Sequence, residues 1–347
     1  MKRILVGGPA RCGKTTTARL LGTQNQDCFY LGVDALFPAM LRRPLLNRLR
    51  PCRDTVAHFL SRLRYQDDDR LVTESALTYS PVALETLLNN AGIKQDDHPV
   101  TAYGRAIDAM AAAQGATAWI AFDVHPEFRF HALRRLIPGL QLLLVFRDPL
   151  EAIAAQIYWR QDSSYRHSRK RFRRAFLLWA LSAQVAIDLR RRHPADVAVL
   201  ALPDVLDNAG ECAVFGVPLH RPANTIKTPD LLYSKHATGY RLPNGAIVPL
   251  LSEAEEQAIT TLLFPLAAQL GLDVRPALSS HRSGAPALLI AYMTGLKWLS
   301  RLRPSLALTI LDFADNPVAV LRGQLSYLRD ALGAAMHRKS PNTSLPE

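Results

Sequence analysis

The stretch "GGPARCGKTTTARL", residues 7–20, decides the fold of this chain. It follows a short apolar run at residues 4–6, and from Gly8 to Thr15 it reads G-x-x-x-x-G-K-T. Glycines in this pattern let successive backbone N–H groups turn toward phosphate oxygens, and a helix that begins directly after the loop points its positive end at the same anion. The pattern therefore predicts a strand, a phosphate-binding P-loop and a helix.

The side chains of this loop have predicted roles in holding a nucleotide. Lys14 is expected to reach the β- and γ-phosphates of ATP, and the Thr15 hydroxyl is expected to hold Mg²⁺. Cys12 is interpreted either as a small loop residue or as an exposed thiol whose pKa the helix N-terminus lowers. The predicted nucleotide contacts in the loop are Gly8, Arg11, Cys12, Gly13, Lys14, Thr15 and Thr16.

Five short apolar runs punctuate the first two thirds of the chain, at residues 4–6, 28–33, 118–122, 140–146 and 197–202. Most are continuous rather than alternating, which is typical of strands buried on both faces, and helical patterns separate them. We therefore predict an α/β fold of the P-loop NTPase type, with a parallel five-stranded sheet flanked by helices.

The same reading divides the chain into a main domain and an extension. The main domain is expected at residues 1–275, with a helical insertion at 35–116 that stands over the phosphate site and binds the acceptor. Residues 276–338 read as a helical C-terminal extension, and residues 339–347 as a disordered tail. The extension's amphipathic helices could pack on the domain, form a homodimer or lie on an anionic membrane surface.

The size, hydrophobic content and net charge of the chain limit the kinds of partner that we expect. The chain has 347 residues, of which 48% are hydrophobic, and a net charge of +12. This excess of positive charge favours anionic small molecules and acidic surfaces as partners. The sequence contains no RNA-binding signature, so we expect no specific nucleic-acid partner.

The four cysteines lack metal-ligand spacing, which predicts free thiols in the cytoplasm. We expect no signal peptide and no transmembrane segment.

Charged residues follow three of the predicted strands. Asp34 follows the second strand, Asp123 the third, and Arg147 with Asp148 the fourth. An apolar run that ends in aspartate is the Walker B form, so Asp123 is predicted to position Mg²⁺. Asp34 and Asp148 could instead cap the helices that follow them.

The first forty residues, "GGPARCGKTTTARLL" followed by "FYLGVDALFPAM", resemble the start of small-molecule P-loop kinases of the chloramphenicol phosphotransferase family. In that family the G-V-D after the second strand supplies the carboxylate that accepts the proton of the substrate hydroxyl. The resemblance implies that Asp34 is a general base, twenty residues after Lys14. A base there would face the phosphoryl group that the loop holds in line.

Residues 117–273 resemble a second family, the sulfotransferases, most clearly in "WIAFDVHPEFRFHALRRLIPGLQLLLVFRDPLEAIAAQIYWR". That family reads the 3′-phosphate of its donor with the Arg of R-D-P and a Ser eight residues later. Here Arg147 matches, whereas position 155 is Ala. His125, two residues after Asp123, is either a turn histidine or the base of a sulfuryl transfer.

A basic cluster between residues 160 and 174 completes the predicted site. In small P-loop kinases, arginines of a lid at this place close over the phosphates and exclude water. We predict that Arg160 and Arg166 contact phosphate, although a solvated basic helix face is the plain alternative.

Together these features predict a transferase that uses ATP and Mg²⁺ to phosphorylate a hydroxyl of a small or natural-product-like acceptor. Lys14, Thr15 and Asp123 would hold the nucleotide and its metal ion, Asp34 would be the base and Arg147 would stabilise charge. The alternative enzyme is a sulfotransferase that uses 3′-phosphoadenosine-5′-phosphosulfate without a metal ion. A nucleotide-binding switch or adaptor that works through its C-terminal helices is the non-catalytic alternative.

Overall fold

The architecture is taken from a computed structural model of the protein. The residues that it describes are 1–23, 25–41, 51–61, 81–158, 169–202, 205, 212–219, 233–234, 237–241, 247–249, 251–273, 287–315, 317, 321, 325 and 329.

The centre of the molecule is a parallel sheet of five strands, as predicted. Its order is β2-β3-β1-β4-β5, so the strand that leads into the P-loop lies in the middle. Register is regular around it, with Ile4 of β1 opposite Ile120 on one side and Gln141 on the other. The strands are β1 (Lys2–Gly7), β2 (Cys28–Asp34), β3 (Ala118–Phe122), β4 (Leu140–Phe146) and β5 (Val197–Ala201).

Helices cover both faces of this sheet. The first part of the chain forms α1 (Lys14–Thr23), α2 (Phe37–Leu41), α3 (Cys52–Leu60), α4 (Pro81–Asn90) and α5 (Pro99–Ala113). A 3₁₀ turn (Pro126–Arg129) then precedes α6 (Phe130–Leu136), α7 (Pro149–Tyr158) and α8 (Arg169–Arg192). The chain continues through α9 (Glu253–Leu262), α10 (Phe264–Leu270), α11 (Ala287–Leu302) and α12 (Pro304–Asp315).

Two small antiparallel sheets accompany the main one. The first pairs β6 (Cys212–Val214) with β7 (Val217–Leu219), and the second has the order β10-β9-β8. The strands of the second are β8 (Tyr233–Ser234), β9 (Ala237–Arg241) and β10 (Ile247–Pro249).

The alternation of side chains along the strands divides the core into two layers. Leu5 and Leu142 belong to the larger layer, which includes apolar residues of α5, α7 and α8. Ile4 and Val6 belong to the smaller layer, together with Leu21 of α1. Because both faces are covered, the strands are apolar at nearly every position, which explains why continuous apolar runs predicted them well.

Helix α8 connects the sheet to the last two helices. Both α11 and α12 pack against it, and the Arg174 guanidinium donates to Asp312 of α12 at 2.8 Å. Ala307, Leu308 and Leu311 of α12 are buried. The interface therefore combines an apolar face with the ion pair of Arg174 and Asp312.

We predict that Gly8→Ala destabilises the fold much more than Gly115→Ala. Both glycines have positive φ, at 121° and 73°, so an alanine is conformationally strained at either position. A Cβ at Gly8 would lie 2.3 Å from the Val145 carbonyl oxygen, whereas one at Gly115 meets nothing within 4 Å. Gly8→Ala should therefore lower the free energy of unfolding by about 1 to 3 kcal/mol more than Gly115→Ala, the usual cost of overpacking.

Urea unfolding of the two variants beside the parent protein measures this difference. Equal losses would mean that the close approach of Gly8 to β4 does not constrain the loop.

Candidate functional site

The loop between β1 and α1 is shaped by three residues with positive φ. Gly8 has φ 121°, Arg11 65° and Gly13 85°. A Cβ at Gly13 would lie 2.4 Å from the Leu202 side chain, so this position also requires glycine. The strand, the loop and the helix that the motif predicts are all present, and the loop lies at the carboxyl end of the central strand, beside the N-terminus of α1. This arrangement suits an anion.

Cys12 lies at the base of the loop rather than on its surface. Its side chain is fully buried, and the backbone of Arg147 donates a hydrogen bond to its sulfur. Burial raises the pKa of the Cys12 thiol to about 12, although the charges of Lys14 and Arg147 oppose the rise. The alternative of an exposed, low-pKa thiol is therefore wrong, and Cys12 contributes packing and backbone to the loop.

Lys14, Thr15 and Thr16 form the first turn of α1 and are all half-buried. The positive charge of Lys14 acts on two carboxyl groups at the neighbouring strand ends, those of Asp34 and Asp123. The fold thus brings the predicted loop lysine and both predicted aspartates into one electrostatic cluster at the carboxyl edge of the sheet.

Asp34 is the accessible acid of this cluster. It is the last residue of β2, where it pairs with Phe122 of β3, and it is exposed to solvent. Loss of hydration beside the surrounding protein nevertheless raises the pKa of the Asp34 carboxyl, while Lys14 opposes the rise. A carboxyl at this place is therefore more basic than an ordinary aspartate.

Asp123 is the buried acid, with 3% of its surface exposed. Its Oδ2 accepts from the backbone N–H of Phe37 at 2.9 Å, and its Oδ1 accepts from the N–H of Val124 at 2.7 Å. Burial, reinforced by the charge of Asp34, raises the pKa of Asp123 well above its ordinary range. Each oxygen accepts one hydrogen bond and keeps a further lone pair, so the predicted magnesium-ligand role of Asp123 stays a prediction.

Among the described residues, no group of three or more histidine, cysteine or acidic side chains is arranged to hold a metal ion. The Thr15 hydroxyl remains in the position that the P-loop pattern predicts, at the start of α1.

Arg147 and Asp148 directly follow strand β4, and their side chains make different contacts. The Arg147 Nε donates to Glu151 Oε2 at 2.7 Å, one helical turn later, and both side chains are mostly buried. Asp148 Oδ1 accepts from the backbone N–H of Leu150 at 2.7 Å, so this residue caps α7. Glu151, which the sequence reasoning missed, orients the arginine. Ala155 is buried on the same helix.

His125 stands at the carboxyl end of β3 in a left-handed conformation, with φ 54°. Its Nδ1 lies 3.3 Å from Glu127 Oε1, and this carboxylate also accepts from the hydroxyl of Ser182 on α8. Burial alone would raise the pKa of Glu127, but the hydrogen bonds from His125 and Ser182, with the charge of His125, hold it below its ordinary value. If Nδ1 carries the proton toward Glu127, Nε2 is the free acceptor.

Sequence reasoning also missed Glu127 and Ser182, which lie 55 residues apart in the chain. The signal available for Glu127 was its position two residues after a histidine at a strand end. Nothing in the sequence pairs it with a serine in the middle of a helix.

The two predicted lid arginines, Arg160 and Arg166, lie outside the described residues. The same is true of the predicted tail at residues 339–347. None of the described helices is long and apolar enough to cross a membrane.

Comparisons with known proteins found matches among solved structures only. No family model and no curated protein matches the chain. Among solved structures, the sulfotransferase domain of the Synechococcus PCC 7002 olefin synthase is 13% identical, with a TM-score of 0.32, covering 84% of this chain and 82% of that one. The sulfotransferase domain from the curacin biosynthetic pathway is 12% identical, with a TM-score of 0.39, covering 79% and 99%. At these scores the agreement in three dimensions is loose.

We predict that Asp123→Ala destabilises the protein even without nucleotide or metal ion. The substitution leaves the buried N–H of Phe37 without its acceptor, which should lower the free energy of unfolding by about 1 to 3 kcal/mol. The matched control is Asp34→Ala, which removes the exposed neighbouring acid and should change stability by less than about 0.5 kcal/mol.

Urea unfolding in the presence of a chelator tests this. The prediction would be wrong if the Asp123→Ala variant unfolds like the parent protein and loses only Mg²⁺-dependent nucleotide binding. That result would support Asp123 as a ligand of the metal ion.

Proposed function

We propose that this chain is a nucleotide-dependent transferase that moves a sulfuryl group from 3′-phosphoadenosine-5′-phosphosulfate to an acceptor hydroxyl. The observation that carries the proposal is the position of His125 at the end of β3, where its Nδ1 lies 3.3 Å from Glu127 Oε1 and the Ser182 hydroxyl donates to the same carboxylate. A histidine that is held in this way suits a base that takes the proton of an acceptor hydroxyl. Sulfuryl transfer from this donor needs no metal ion.

The donor would bind with its 5′-phosphosulfate in the P-loop. The backbone of the loop and the N-terminus of α1 offer N–H groups to the anionic oxygens, and Lys14 supplies a full positive charge at the same place. Arg147 matches the residue with which sulfotransferases read the 3′-phosphate. Because Ala155 replaces their serine, Arg147 would do so without a hydroxyl partner on α7.

His125 would be the base. The hydrogen bond from its Nδ1 to Glu127 leaves Nε2 able to accept the proton of the acceptor hydroxyl. In the step, the acceptor oxygen forms a bond to sulfur while the bond between sulfur and the bridging phosphate oxygen breaks. Adenosine 3′,5′-bisphosphate leaves with that electron pair, and the proton moves to Nε2. Lys14 would stabilise the charge on the leaving phosphate.

The acceptor would bind under the insertion at residues 35–116. The first helix of the insertion begins at Phe37, whose N–H is held by Asp123 at the end of β3. The Phe37 ring lies 5.3 Å from Tyr103 and 6.2 Å from Trp119, between ring centroids. This aromatic cluster fixes the base of the insertion beside the site, and a small molecule with a hydroxyl is the class of acceptor that this position favours.

Phosphoryl transfer from ATP is the second candidate, because Lys14 and Asp34 favour it. The G-K-T ending of the loop is the form that reaches β- and γ-phosphates, and the raised pKa of Asp34 suits a general base. Thr15 and Asp123 would be the ligands of Mg²⁺ in this reaction.

Calorimetry with the two nucleotides separates the candidates. We expect adenosine 3′,5′-bisphosphate to bind at least about ten-fold more tightly than ATP, with no effect of Mg²⁺ or of a chelator, a difference of about 1.4 kcal/mol. Adenosine 5′-phosphate serves as the matched ligand, and Arg147→Ala should remove the preference for the 3′-phosphorylated form. Preference for ATP that depends on Mg²⁺ would contradict the sulfuryl donor.

The two candidate bases give a second test. Activity is measured with donors that are labelled in the transferred group and with a panel of hydroxyl compounds as acceptors. The variant His125→Gln should lower kcat by about 10²-fold or more, while its nucleotide affinity stays unchanged. Asp34→Asn should remain within a few-fold of the parent protein. The opposite pattern, with label arriving from the γ-phosphate of ATP, would favour the kinase candidate and Asp34 as its base.

A further inference from the structure

The last two helices present large apolar side chains to solvent. Trp298 of α11 is 65% exposed, Phe313 of α12 is 48% exposed, and Ile290, Leu306 and Ile310 are each close to 45%. Single exposed apolar residues are ordinary, but this many on one helical hairpin mark an interaction surface.

On each of the two helices the exposed apolar residues lie toward one face. Ile290 and Trp298 are eight positions apart on α11, and Leu306, Ile310 and Phe313 follow the i, i+4, i+7 spacing of a single helix face. The opposite face of α12 packs inward through Ala307, Leu308 and Leu311, so the exposed stripe points away from α8. Leu321 and Leu325, further along the chain, are also more than half exposed.

Cations border this apolar stripe. Lys297, Arg301 and Arg303 are exposed where α11 turns into α12. Arg301 follows Trp298 by three positions, which makes the two residues neighbours on the helix surface. Asp312 of α12 is paired with Arg174 of α8.

A basic cavity adjoins the same turn. It has a volume of about 560 Å³ and is lined by His131, Arg134, Arg135 and Gly139. A smaller cavity shares His131 and is lined also by Asp188, Arg192, Arg301 and Pro304. Arg134 is paired with Asp196 at 2.6 Å, which leaves Arg135 as the cation of the larger cavity, in whose described lining there is no carboxylate. Arg301 and Pro304 belong to the hairpin, so the smaller cavity and the apolar stripe meet at its turn.

Hydrogen-bond contacts connect three basic side chains at this cavity, those of Arg134, His193 and His131. An Arg134 nitrogen lies 3.4 Å from His193 Nδ1, and His193 Nε2 lies 3.3 Å from His131 Nδ1. Arginine can only donate, so the proton of His193 is on Nε2 and is directed to His131 Nδ1. In this arrangement a neutral His131 carries its proton on Nε2. Arg135 adds a full positive charge to the lining of the same cavity.

We propose that this surface, the apolar stripe of α11 and α12 with the adjoining basic cavity, docks the protein on a membrane that contains anionic lipid. The stripe would enter the boundary between headgroups and acyl chains, and the cavity would receive a lipid phosphate. A second copy of the chain fits less well, because it would bring the same net charge of +12 and the same cations to the interface. An anionic bilayer supplies the complementary charge.

Sedimentation with vesicles tests this proposal without nucleotide or acceptor. The full chain should partition onto vesicles of phosphatidylcholine mixed with phosphatidylserine, should bind vesicles of phosphatidylcholine alone much more weakly, and should be released by salt. Trp298→Ala should reduce binding by about ten-fold, and Arg301→Ala by about five-fold, the effect of one basic residue near an anionic surface.

Matched controls exist elsewhere on the surface. Val82→Ala removes an apolar side chain that is 76% exposed on α4, and Lys94→Ala removes an exposed cation after that helix. Both should bind as the parent protein does, and circular dichroism should show all four variants folded. The proposal is overturned if the chain stays in the supernatant with both vesicles, if the controls weaken binding as much as the test variants, or if light scattering finds a dimer that Trp298→Ala dissociates.

Discussion

The close approach of the loop backbone to strand β4 is the constraint on which the rest of the site depends. Gly8 lies so near the Val145 carbonyl that a single added methyl group would overlap it. Cys12 is packed beneath the loop and accepts a hydrogen bond from the backbone of Arg147, just beyond the end of the same strand. These two contacts orient the start of α1 and therefore Lys14, around which the acids of the neighbouring strands collect.

The two acids at this edge differ in what surrounds them rather than in chemistry. Asp34 is exposed at the end of an outer strand, where its carboxyl can meet a substrate. Asp123 is enclosed one strand closer to the centre, and its hydrogen bond to Phe37 ties the helical insertion to the sheet. Burial and two backbone donors thus give Asp123 a structural task that Asp34 does not have.

Helix α8 joins parts of the molecule that are otherwise separate. Its middle supplies Ser182 to the carboxylate that holds His125, and its first half pairs Arg174 with α12. Its last residues, Arg192 and the adjacent His193, lie at the basic cavities beside the hairpin turn. The proposed transfer site and the proposed membrane surface therefore rest on one continuous element.

Local patterns in the sequence were enough to determine the sheet and the loop. Strands β3 and β4 begin and end where their apolar runs do, and the P-loop spelling between β1 and α1 dictates its own backbone through Gly8 and Gly13. Such features depend on neighbours a few residues away, which periodicity and motif spacing record. The sequence also identified Asp34, Asp123, His125 and Arg147 as residues at strand ends.

Only the tertiary structure decided what these residues can do. Burial of Cys12, capture of Asp123 by Phe37, the pairing of Arg147 with Glu151 and the contact of Glu127 with Ser182 all arise from packing between elements. Two of these contacts join residues more than fifty positions apart and have no pattern that one sequence can display, whereas the i,i+4 spacing of Arg147 and Glu151 was a signal that the sequence did contain. The pKa of a carboxyl or thiol depends on its hydration and on charges brought near by the fold, which leaves the same amino acid open to solvent at one strand end and makes it a buried hydrogen-bond acceptor at the next.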